Sequence, residues 1–205
     1  KSRHLPLFRG DYDNIVKRFL DASDAYGTEI IVRATGDCPA VSHEVADYLV
    51  ESHLSAGSDY TTIETDTAAV GIYPDIISAT ALKKLAGFKI DFSYSEYLSF
   101  YFKNNPEHFS VHTAPALAEH RYPEYRLTLD HPEDLEMFRV LFRTLRERGM
   151  SPSLKNMITL LREDPHISSL NNHLTLRYRT DEELIKKINA ATRIAQGPLD
   201  GPRGP

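Results

Sequence analysis

Twice along this chain a short β-branched run stops on an aspartate and a helical pattern takes over. Ile30-Ile31-Val32-Arg33-Ala34 breaks at Thr35-Gly36-Asp37-Cys38-Pro39, and Tyr125-Arg126-Leu127-Thr128-Leu129 stops at Asp130-His131-Pro132. A strand that feeds a helix through a tight turn is the repeating step of an α/β sheet, because the helix folds back to cover the sheet's apolar face. In open sheets of this kind, ligands bind just beyond the carboxyl ends of the strands. Gly36 lets the first turn bend sharply, and Pro39 stiffens its exit. A carboxylate at such a place is a hard-oxygen ligand for Mg²⁺ shared with phosphate oxygens. The structural alternatives stay open: Asp37 as a turn cap, and Asp130 as a helix N-cap.

The rest of the chain repeats the alternation. Ile15, Val16, Phe19 and Leu20 share one helical face, with Asp13 or Asn14 as N-cap and Gly27 as stop. Ser42 caps a second helix that ends at Gly57, and residues 59–63 read as a strand. Residues 65–74 read as loop, and Ser78 caps a short helix through Leu82 and Leu85. Ser93 opens an aromatic-rich helix in which Tyr97, Tyr101 and Phe102 are expected in the core. Strands are expected at 109–112 and 125–129. Pro132 starts a helix that runs to Gly149, with Glu133 and Asp134 in the first turn, where negative charge favours the helix dipole. Further helices start at Ser151-Pro152 and at a capping box, Thr180-Asp181-Glu182-Glu183. The organisation is an α/β domain over residues 1–150, a helical extension over 151–195, and a Gly/Pro-rich, disordered tail over 196–205.

Charge narrows the partners. Residues 1–138 hold 12 Lys and Arg against 22 Asp and Glu, whereas residues 139–205 hold 12 against 7. An acidic body repels polyanions, so nucleic acid is not the expected partner; an anionic substrate would need a bridging divalent cation. The single cysteine excludes a disulfide framework and a Cys-rich zinc module. No apolar run approaches the roughly 20 residues that span a bilayer, and a cytoplasmic location is expected. Arg33 and Arg126 lie on strands beside the two aspartates. Each either pairs with a carboxylate, Asp37 or Asp130, or holds a substrate anion.

Four segments together carry a resemblance: Thr35-Gly36-Asp37-Cys38-Pro39, Tyr73-Pro74-Asp75-Ile76-Ile77-Ser78, Tyr94-Ser95-Glu96-Tyr97-Leu98-Ser99, and Arg126-Leu127-Thr128-Leu129-Asp130 with Pro132-Glu133-Asp134-Leu135. In order and rough spacing they resemble the cytidylyltransferases of the CMP-sialic-acid and CMP-KDO synthetase group, in particular the spore-coat polysaccharide biosynthesis branch. The likeness continues weakly through Asn171-Asn172-His173-Leu174. It implies a Rossmann-like, three-layer nucleotidyltransferase fold and a reaction joining CTP to an acidic sugar, giving a CMP-sugar and pyrophosphate. It implies that Asp37 and Asp130 are the catalytic Mg²⁺ ligands; Arg33, Thr35, Gly36, Asp75, Glu96 and Arg126 are expected to contact substrate, and a homodimer is expected.

Two departures qualify the likeness. The family opens with a strand and a loop carrying Arg, Ser and Lys that grips CTP. No such segment precedes Phe8-Arg9-Gly10, so about 60 residues, two βαβ-sized steps, are expected to be absent. The sheet should then expose apolar edges, so that the chain either dimerises, with strand exchange as one route, or is poorly soluble. Many relatives also carry Arg-Glu-His-Val-Thr where this chain has Ser95-Glu96-Tyr97-Leu98-Ser99, which leaves the sugar open. The alternatives to a cytidylyltransferase are a non-catalytic relative acting as scaffold, and a flavodoxin-like or glycosyltransferase-like domain using metal on another phosphate substrate.

Overall fold

A computed structural model describes residues 6–194, so the tail expected at 196–205 lies outside the described residues. Four strands form one sheet in the order β1-β3-β2-β4: β1 (Ile30–Arg33), β2 (Tyr60–Ile63), β3 (Asp75–Ser78) and β4 (Val111–Ala114). β3 runs antiparallel to both β1 and β2, while β2 and β4 are parallel. The carboxyl ends of β1, β2 and β4 therefore share one edge of the molecule.

Side chains alternate across these strands and build a core on each face. Ile63 and Ile76 point to one side, where α2 (His43–Ala56), α5 (Pro132–Glu147) and α6 (Leu154–Glu163) supply Val45, Leu49, Phe138, Leu141, Ile158 and Leu161. Ile31, Tyr60 and Ile77 point to the other, against α1 (Ile15–Tyr26), α3 (Ala79–Ala86) and α4 (Leu98–Lys103). The result is the expected three-layer α/β arrangement. α6 and α7 (Pro165–Ser169) bury Leu154, Met157 and Ile167 in the first core, so the helical extension is part of the main body. No helix among the described residues is long and apolar enough to cross a membrane.

The helix boundaries follow their caps. The Asn14 side chain accepts from the Lys17 N–H at 2.9 Å, and Gly27 ends α1 in the left-handed region with φ 62°. Ser42 and Gly57 bound α2 as the sequence indicates. Five local expectations change. Ser78 stands at the N-cap of α3 without capping it; its hydroxyl is held by His53 Nε2 (3.0 Å) and the Ser58 carbonyl (3.0 Å). The aromatic helix starts at Leu98, after a single 3₁₀ turn over Ser95–Tyr97, because Ser95 is tied to the start of α1 through the Ile15 N–H and the Asp13 carbonyl (both 3.1 Å). Ser153 caps α6, and Asp181 caps α9 (Glu182–Thr192), accepting from the Leu184 N–H at 3.0 Å. Thr180 instead closes the short α8 (Arg177–Thr180).

The fifth change concerns residues 125–129, which do not join the sheet. Their one strand-like pairing among the described residues is a parallel bridge, Val70 to Arg126, with the Leu127 N–H donating to the Val70 carbonyl at 2.9 Å. Gly71, at φ 93°, makes that approach possible, since a Cβ there would lie 2.0 Å from the Leu127 carbonyl oxygen.

Candidate active site

The turn after β1 and the segment before α5 are sutured through their backbones. The Leu129 N–H donates to the Asp37 carbonyl at 2.7 Å, the Thr128 hydroxyl to the same oxygen at 3.3 Å, and Cys38 Sγ lies 3.7 Å from Thr128 Oγ1. Asp37 and Asp130, 93 positions apart in sequence, are thereby brought to the rim of one cleft of about 1020 Å³. Arg33, Thr35, Gly36, Asp75 and Glu96 also line it, together with Tyr97 and Lys103. The Gly36 turn needs no glycine for its backbone: its φ is not positive and a Cβ would meet nothing within 4 Å. What the missing side chain leaves is open cleft wall.

Asp37 is exposed, whereas Asp130 is held by Arg126 Nη2 at 2.6 Å through one carboxylate oxygen. Arg126 itself is buried beneath the cleft and does not line it, which corrects the expectation of a direct substrate contact. Its guanidinium forks onto Asp134 through Nε (2.8 Å) and Nη2 (2.9 Å). Asp134 is fully buried and also accepts from the N–H groups of Asp130 and His131 (both 2.9 Å) and from Asn171 Nδ2 (2.9 Å). Burial alone would push its pKa up; the bonds from Arg126, Asp130, Asn171 and His131 outweigh that and hold it at about 2. Asp134 is thus more than the helix-start residue that its position indicates.

Arg33 pairs with Asp75 at 2.8 Å, not with either rim aspartate, and its Nη2 donates to the Glu96 carbonyl at 3.0 Å. The other oxygen of Asp75 accepts from the Tyr60 hydroxyl at 2.5 Å. Burial, then the neighbouring Asp75 charge, push the Tyr60 pKa well above its ordinary value, so the phenol stays protonated. Lys103 Nζ stands 5.6 Å from the centre of the Tyr60 ring. Desolvation draws its pKa down, and Asp75 acts in the opposite sense. Tyr97, expected in the core, lines the cleft instead, because the late start of α4 turns it outward.

The far wall comes from the segment Thr175–Arg179, which sequence reasoning left unassigned. Arg179 reaches the Thr65 carbonyl at 3.4 Å, and burial raises the Tyr178 pKa. Its sequence signal, an Arg-Tyr-Arg triplet in the basic C-terminal part, is indistinguishable from a solvated helix surface.

The cytidylyltransferase family profile matches residues 5–164. The chain is 33% identical over 160 residues to the spore coat polysaccharide biosynthesis protein SpsF of Bacillus subtilis, covering 78% of this chain and 65% of that protein. It is 28% identical over 178 residues to an uncharacterized protein of Methanocaldococcus jannaschii, covering 86% and 72%. Among solved structures, a cytidylyltransferase from Leptospira borgpetersenii superimposes with a TM-score of 0.69 at 28% identity, over 82% of this chain and 69% of that one. The paired aspartate turns, the three-layer sheet and these likenesses converge: the chain belongs to the cytidylyltransferase family.

Proposed function

We propose that the cleft carries out cytidylyl transfer from CTP to an acidic sugar, releasing pyrophosphate and a CMP-sugar for surface polysaccharide synthesis in the cytoplasm. The observation that carries this reading is the bond from the Leu129 N–H to the Asp37 carbonyl, which sets two carboxylates from distant segments at one rim. Family membership and the likeness to SpsF support the reaction class.

The donor set fits Mg²⁺. Arg126 occupies one oxygen of Asp130 and leaves Oδ1 for a ligand, and Asp37 is open to the cleft. Among the described residues no group of three or more His, Cys, Asp or Glu could complete a cage around a metal. Mg²⁺ characteristically takes one or two carboxylates and fills its remaining positions with water and substrate phosphates. When bound, it would offset the charge that develops on the phosphates as the sugar hydroxyl attacks the α-phosphorus. The chain's own groups orient the partners. The Arg126–Asp134 pair fixes the Asp130 carboxylate, and the Gly36 turn leaves room at the rim.

The test is pyrophosphate release by the chain supplied with CTP, Mg²⁺ and a 2-keto-3-deoxy sugar acid. Release is expected with CTP and not with ATP, GTP or UTP. Asp37→Asn and Asp130→Asn should each lower the rate by about 100-fold or more, the scale seen when charge stabilisation at a phosphoryl centre is removed. Undiminished turnover by both variants, or turnover with another nucleotide and none with CTP, would sink the proposal.

A further inference from the structure

Four arginines line the cleft, and two of them are committed to its own walls. Arg18 donates to the carbonyls of Asp11 and Tyr12 at 2.7 and 2.5 Å, and Arg33 is held by Asp75 and the Glu96 carbonyl. Arg177 and Arg179 are held loosely. Arg177 pairs at 3.0 Å with Asp181, four residues on, and its side chain stays largely exposed. Arg179 meets the Thr65 carbonyl at 3.4 Å and the exposed Asp66 at 4.0 Å. Exposed ion pairs of this kind contribute little, so a multiply charged anion in the cleft can draw both guanidinium groups away from them.

The anchors on either side explain where these two side chains stand. Asn171 is buried beside the first core and donates to the Arg126 carbonyl (3.0 Å) and to Asp134 (2.9 Å). At the far end, the buried Asn105 donates through Nδ2 to the Thr192 carbonyl at 2.8 Å and accepts from the Ile194 N–H at 2.7 Å. Ile194 belongs to the second core. Between the anchors, none of residues 172–187 is buried. The segment is a strap, fixed at both ends on opposite faces of the sheet and thinly packed where it passes the cleft. Backbone with few buried contacts opens locally at low cost, so the strap can adjust to a ligand.

Charge decides which ligand. The rim beneath the strap carries Asp37 and Asp130, and one Mg²⁺ held there would leave a nucleoside triphosphate still negative at its outer phosphates. Lys103 stands on the wall below. Desolvation draws its pKa down, Asp75 pulls it back, and the Arg179 charge lowers it again. Asp75 is itself committed to Arg33 and Tyr60. Arg179 and Lys103 therefore repel each other until an anion lies between them. A guanidinium fork matches two oxygens of one phosphate, so two forks suit consecutive phosphates, whereas a single carboxylate would fill only one.

We propose that Arg177 and Arg179, carried on the strap, clamp the β- and γ-phosphates of the nucleotide from the wall opposite the two aspartates. The assignment deepens the cytidylyl-transfer reading and rests on it for the identity of the nucleotide. Two measurements test it separately from that reading.

In the first, the unmodified chain, with Mg²⁺ and no sugar, is treated with phenylglyoxal, which condenses with arginine side chains. Modification is read site by site by peptide mass spectrometry, with the exposed Arg139, outside the cleft, as reference. Inorganic tripolyphosphate and CTP should each slow modification of Arg177 and Arg179 about tenfold relative to Arg139, on the scale of one charge-assisted hydrogen bond. CMP at the same concentration should not, because it lacks the two outer phosphates. In the second, Arg177→Gln and Arg179→Gln are assayed for pyrophosphate release. Each should raise KM for CTP by about 20-fold, with KM for the sugar acid moving less than about threefold. Arg→Lys at either position should recover only part of the loss, since an ammonium keeps the charge and gives up the fork.

Protection by tripolyphosphate and CTP in a chain that releases no pyrophosphate upholds the clamp and rejects the reaction. Pyrophosphate release whose KM for CTP is untouched by both Gln variants overturns the clamp and leaves the reaction standing. Protection as strong from CMP as from CTP, protection by inorganic pyrophosphate with none by CTP, or no protection by any of these anions also overturns it.

Discussion

Asp134 holds Arg126, and Arg126 holds Asp130, so a residue with no access to the cleft sets the position of one rim carboxylate. Removing one partner from a buried, bidentate pair strands the other charge, which typically costs about 3–5 kcal/mol. Asp134→Asn should therefore lower unfolding stability by roughly 3 kcal/mol at neutral pH, measured by urea titration. Because its folded pKa is depressed to about 2 from 3.8, its contribution is fully present above pH 4 and fades as the pH falls toward 2. The gap between the native chain and the Asn variant should accordingly narrow across that window. A constant gap down to pH 2 would mean that the carboxylate charge is not what stabilises the pair. The sequence makes the arginine's need for a carboxylate legible, but not the partner. Asp134 reads equally well as a residue serving the helix dipole, and Asn171 closes the network from 37 positions away.

At the scale of elements, the suture between residues 35–38 and 126–130 depends on Gly71. Gly71→Ala would drive a methyl group into the Leu127 carbonyl and adopt an unfavourable positive φ, so residues 126–128 must move. A loss of about 2–4 kcal/mol in stability is expected, with pyrophosphate release falling more than the fraction folded does, since Thr128 and Asp130 shift together. Unchanged stability in thermal unfolding would refute this account of the turn. The long helices and the strands before Asp37 and at β2 were readable because caps and periodicity agree there. β3 was not. Asp75-Ile76-Ile77-Ser78 is four residues long, buries its two isoleucines on opposite faces and runs straight into α3. Periodicity has no room to declare itself in such a segment. Residues 125–129 mislead the other way: their apolar composition reflects burial beside Val70, not membership of a ladder.

Taken whole, the molecule is a sheet clad on both faces but not at its margins. Among the described residues nothing pairs with the outer edge of β1, and Val32 on that strand is 46% exposed. Open apolar edges recruit further strands. We expect concentration-dependent self-association in sedimentation velocity, weakened by Val32→Lys; a monomer at all concentrations would remove the basis for the homodimer expected from an open sheet edge. The layering and the meeting of the two aspartates follow from patterns visible in the chain. The suture has a further consequence. The two halves of the rim share a single amide proton, that of Leu129, and it can exchange with deuterium only when the halves part. Its exchange rate is thus a clock for how often the empty cleft comes undone, and nucleotide that grips both halves should slow it.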